Sequence, residues 1–127
     1  MQPNLPPELP RRIRQLAVQP PGLPEGDWAW SLDSGVAALQ ALVGTAVAVF
    51  EVEAYVVPFG RVEAIPTGRR RTFGYDKGEL ALQFAERSRR LASEFMTAGS
   101  PDELFVFCFS GQDDAESGHG TFKVRAG

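Results

Sequence analysis

The sequence predicts an α+β fold: a single domain with two main helices packed on one face of a mainly antiparallel four-stranded sheet. Three stretches carry that expectation. Residues 79–98 repeat apolar side chains at helical spacing, whereas residues 45–57 and 104–110 are β-branched and aromatic runs that read as strands. The first run is the longest periodic segment, and the last follows it after a Gly-Ser-Pro break.

At about 100° per residue, Leu80, Phe84, Leu91 and Phe95 fall along one stripe, widened by Ala81, Ala85, Ala92 and Met96. Gln83, Glu86, Arg87, Arg90 and Glu94 fall opposite, and Ser88 lies within the stripe, where its hydroxyl is expected to bond back to the preceding turn. Gly99 is expected to close the helix in a left-handed conformation, and Pro101 prevents its resumption. In the following strand Phe105, Phe107 and Phe109 share one face and Leu104, Val106 and Cys108 the other. That pattern means either a strand covered on both sides, or one covered side plus a binding surface.

Residues 1–27 form a proline-rich arm, set apart from the α+β unit of 28–127 by Pro3, Pro6, Pro7, Pro10, Pro20, Pro21 and Pro24. The arm is expected to dock loosely, with a short helix near 8–18 burying Leu9, Ile13 and Leu16. Trp28 and Trp30 read as extended chain closing one end of the core. Ser31 then caps a helix whose first turn holds Asp33 and whose core positions are Leu32, Val36, Leu39, Leu42 and Val43, with Gly44 at its end. Within 45–57, strict alternation puts Val47, Val49, Glu51, Glu53 and Tyr55 on an open face. Ala46, Ala48, Phe50, Val52, Ala54 and Val56 fall on the core face. Pro58, Phe59 and Gly60 read as a turn, and 61–65 as the returning strand. Residues 66–78 read as a loop carrying Arg69, Arg70 and Arg71 ahead of Phe73 and Tyr75. An acidic turn with Asp113, Asp114 and Glu116 precedes a last strand at 120–125, expected to pair with 104–110.

The chain offers little chemistry. A net charge of −3 argues against a dedicated nucleic-acid binder. One cysteine and one histidine leave no disulfide and no zinc set, so no metal and no cofactor are expected. Cys108 sits in an apolar strand, His119 has no triad spacing, and no acid/base pair stands out, which predicts a protein that is not an enzyme. No apolar run approaches the ~18 residues of a membrane span, and the first residues hold no secretory core. The default expectation is therefore a cytoplasmic, bacterial protein.

In order and spacing, the Trp-x-Trp entry, VAVFEVEAYVV, IPTGRRRTFGY, FAERSRRLASEF and DELFVFCFS resemble the immunity proteins of bacterial polymorphic toxin systems, most nearly the immunity protein 40 family. The resemblance spans residues 28–110. It implies a small cytosolic α+β protein that binds and neutralises a cognate toxin domain. For a basic partner, Asp113, Asp114 and Glu116 would steer the encounter, and Phe73 and Tyr75 would supply a desolvated anchor. Two other readings stay open: a small-ligand or regulatory domain using an aromatic pocket, and an RNA-contacting domain using Arg69, Arg70 and Arg71.

Overall fold

A computed structural model describes residues 5–111, which form three helices and a four-stranded antiparallel sheet in one small α+β domain. In chain order the elements are α1 (Arg11–Arg14), β1 (Ala29–Trp30), α2 (Leu32–Ala41), β2 (Val49–Val56), β3 (Ile65–Thr72), α3 (Ala81–Thr97) and β4 (Leu104–Phe109). The sheet order is β1-β4-β2-β3, with every neighbouring pair antiparallel. The expected strand at 120–125 lies outside the described residues, and the fourth strand among them is β1. Two residues are too few to show a periodicity, which is why the Trp28–Trp30 segment reads only as extended chain.

Local sequence accounts for the helix ends. The Ser31 hydroxyl accepts the Ser34 N–H at 3.2 Å, and Asp33 lies in the first turn of α2. At α3 the Gln83 side chain reaches back to accept the Leu80 N–H at 2.9 Å. The buried face of α3 is Phe84, Ala85, Ser88, Arg89, Ala92 and Met96, whereas Leu80 and Ala81 stay exposed before the helix has reached the sheet. Ser88 bonds back to Ala85 O at 3.2 Å and also accepts the Val49 N–H at 3.0 Å, tying the helix to β2. Beside it the buried Arg89 donates to Thr45 O and Val47 O, at 3.1 and 2.6 Å. Burial holds its pKa below the usual guanidinium value.

Two strand expectations are corrected. Within β2, Val49 lies opposite Phe109 and Glu51 opposite Cys108, so Phe50 is an extra residue, a β-bulge. The bulge reverses the alternation. Val47 and Val49 turn into the core, while Glu51 and Glu53 keep the open face assigned to them. The returning strand is not 61–65 but β3, which runs through the expected loop as far as Thr72. Pro66, Gly68 (φ 92°) and three arginines look like loop composition, but an edge strand tolerates them because one side needs no ladder.

The N-terminal segment docks through the buried Pro6 and through Leu5, Leu9, Ile13 and Ala17, which belong to the same apolar cluster as the sheet. Its helix is shorter than expected, and Leu16 is exposed. Between the helices and the sheet, Trp30, Phe105, Phe107 and Phe109 are buried, with Trp28 packed against them. Gly35 of α2 meets the ends of Met96 and Phe107, so α2, α3 and β4 close over one core.

Candidate functional site

Covering the phenylalanine side of β4 leaves its other side half-exposed, and register assembles a surface there. Residues directly opposite in antiparallel strands share a face. Leu104 stands opposite Tyr55, Val106 opposite Glu53 and Ala29, and Cys108 opposite Glu51. On β3, Arg70 pairs with Glu53 and Thr72 with Glu51. The result is an apolar strip, Leu104–Val106–Cys108, bordered by the carboxylates of β2.

The electrostatics of this face are unbalanced. Arg70 reaches Glu51 at 3.3 Å, but among the described residues neither Glu53 nor Asp27 has a cationic partner. Glu53 only accepts from the Tyr55 hydroxyl, at 3.4 Å. Burial first, and the Glu53 charge second, push the Asp27 carboxyl above its ordinary value. Burial and then Glu53 push the Tyr55 phenol up to about 12. The partly buried Asp27 carboxyl beside Glu53 therefore costs the fold some stability. The alternation of 45–57 placed Glu51 and Glu53 on this face, but nothing in sequence ties Asp27 to Glu53.

An expected outcome follows for Asp27. A carboxyl whose pKa is raised on folding destabilises the native state at neutral pH, and the penalty is relieved as pH falls through that raised value towards the ordinary one. Asp27→Asn should therefore raise the melting temperature at pH 7 by about 1–2 °C, a few tenths of a kcal/mol on this partly exposed site. The gain should vanish near pH 4 in paired melting curves.

Of the residues singled out in the sequence, Asp113, Asp114 and Glu116 lie outside the described residues. Phe73 is placed in the core, at 9% exposure, and its N–H donates to Phe50 O at 2.9 Å. Tyr75 is presented at 55% exposure, stacked on Phe84 at 4.2 Å between ring centroids. Its loop is tied down by Arg87, which donates to Glu79 at 2.7 and 2.8 Å and to Gly74 O at 2.6 Å. Hydrogen bonds from Arg87, then from the Asp76 backbone, hold the Glu79 carboxyl down to about 2.

The three arginines have separate structural partners. Arg69 makes two hydrogen bonds to Glu103, at 2.9 and 3.0 Å, and its guanidinium lies 4.2 Å from the Phe95 ring centre. Arg70 faces Glu51, and Arg71 lies over Phe73. Among the described residues the run is thus divided between separate partners rather than gathered into one cationic groove. Among the described residues no cluster of histidine, cysteine, aspartate or glutamate is arranged to hold a metal ion, and no helix is long and apolar enough to cross a membrane. Comparison with protein-family models, curated proteins and solved structures finds no match for the chain.

Proposed function

We propose that this chain is a non-enzymatic binding protein that neutralises a cognate bacterial toxin domain in the cytoplasm by direct protein–protein contact. The observation that carries the binding reading is the open sheet face, where Leu104, Val106 and Cys108 lie beside the uncompensated carboxylates Glu53 and Asp27. A basic protein surface would relieve the repulsion between those two acids and cover the apolar strip in one step. Asp113, Asp114 and Glu116, which lie outside the described residues, are the acidic contacts expected from the sequence, and the exposed Tyr75 offers an aromatic one. The toxin class of the partner comes from the resemblance of residues 28–110 to immunity proteins. The small-ligand reading has less to draw on, because the aromatic rings that would line its pocket are packed in the core.

The test is to co-express the chain with the toxin domain encoded in the adjoining reading frame. Protection of the cells and a co-eluting complex are expected. Reversing Asp27 and Glu53 to lysine should slow association about tenfold at low salt and flatten its salt dependence. A toxin domain that kills equally well with or without the chain would remove this reading.

A further inference from the structure

The connection between β2 and β3 carries apolar surface that neither the core nor the open face absorbs. Phe59 is wholly exposed, at 105% of its reference area, with Val62 at 73%, Ile65 at 45% and Val57 at 38%. Its position at the tip leaves the ring nothing of its own chain to pack against.

The tip is held in shape. Arg61 N–H donates to Pro58 O at 2.9 Å, closing a turn whose third residue, Gly60, has φ 80°. That positive φ is what a type II turn requires there, and only glycine meets it without strain. On the return limb the buried Ala64 donates its N–H to Pro21 O at 2.7 Å. Gly22 packs so tightly on Ala64 that a Cβ at this position would collide with the Ala64 carbonyl oxygen. A loop fixed at its tip and clamped on one limb loses little conformational freedom when something closes over it.

Three kinds of surface could receive a projecting phenylalanine, and charge separates them. An anionic bilayer would find no cationic excess in the loop, where Glu63 offsets Arg61, on a chain of net charge −3. A second copy carries the same net charge of −3 and would bring acids against acids. A protein with a concave apolar pocket and a cationic rim matches both the convex tip and the surrounding acids. We propose, building on the binding-protein reading above, that Phe59 is the anchor of the interface. It inserts into an apolar pocket of the partner, while Glu63 meets a basic group at the rim.

The experiment compares the full-length chain with Phe59→Ala, Phe59→Trp and Glu63→Lys for binding to the toxin domain of the adjoining reading frame, reading both rates by surface plasmon resonance. Phe59→Ala should speed dissociation about 30-fold or more, as loss of a central aromatic anchor does. Phe59→Trp should retain binding, Glu63→Lys should chiefly slow association, and the melting temperature of each variant should match the parent. Dissociation of Phe59→Ala at the parental rate would overturn the anchor while leaving the binding function intact. No complex with the parent chain would overturn that function and the anchor with it. Parallel arms use phosphatidylglycerol vesicles and sedimentation of the chain alone. Vesicle binding or self-association abolished by Phe59→Ala would overturn the assignment to a protein pocket.

Discussion

Replacing Phe84 by alanine should cost the protein about 3–5 kcal/mol, a large share of what holds a domain of this size together. Phe84 is fully buried and joins three separate parts of the chain. Tyr75 stacks on it at 4.2 Å, Phe50 of the β2 bulge lies 5.7 Å away, and Arg87 stands 5.5 Å from its ring centre. Removing the ring takes the packing partner from the bulge and from the 73–78 loop together, so the cavity cannot be filled from one side. Urea denaturation measures the loss, and Phe84→Leu should recover more than half of it. A cost below about 1 kcal/mol would show that the surrounding residues collapse into the space.

Arg69→Ala should destabilise by about 2–3 kcal/mol. Breaking a buried ion pair costs more than this in general, and the partial exposure of the arginine lowers the figure here. The Glu103 side chain is only 6% exposed, against 35% for Arg69, so the substitution strands the carboxylate with the Ser100 N–H at 3.1 Å. It also frees the Phe95 carbonyl, which Arg69 holds at 3.1 Å, and uncovers the Phe95 ring. The pH dependence identifies the cause. The hydrogen bond from Arg69, more than any other contact, holds the Glu103 pKa below the usual glutamate value. The stability it contributes is complete above that usual value and is lost as pH falls through the depressed one. Acid denaturation of Arg69→Ala should therefore lack part of the parental decline. Combining Arg69→Met with Glu103→Leu should restore much of the loss at neutral pH, since no charge is then left buried.

The same ion pair shows where sequence reading stops. Gly99 was expected to serve as a left-handed helix end, yet its φ is not positive, and the last turn closes at Ala98 in an ordinary helical conformation. Glycine stands there because a Cβ would collide with Glu103 and Arg69. That reason depends on a residue thirty positions earlier, which no local rule contains. Periodicity located α2, α3, β2 and β4 because each is long enough to repeat its pattern against a single core. It failed at Phe50, since alternation assumes one residue per step of the ladder, and at β3, where edge position overrides propensity. For the candidate surface, parity placed Glu51 and Glu53 correctly. The approach of Asp27 and the inward turn of Phe73 follow from tertiary packing. Phe59 did have a local signal, as a large apolar residue inside a Pro-Phe-Gly turn has little within reach to cover it.

The two flanks of the sheet have a consequence for how this molecule behaves when crowded. One flank is β1, two residues long, and the other is β3, with a proline, a left-handed glycine and three guanidinium groups in eight residues. The Thr67 hydroxyl already occupies the Arg69 N–H, at 3.0 Å, one of the donors that a docking strand could use. Among the described residues, neither flank offers a straight, neutral row of amides on which another extended chain could be templated. Fibrillar stacking and capture of foreign strands are both disfavoured at the outset, even though half of the described sheet is built from valine and phenylalanine-rich runs with high β-propensity. Edge-to-edge pairing through the described strands is thus disfavoured even while the apolar strip and the projecting ring stay uncovered.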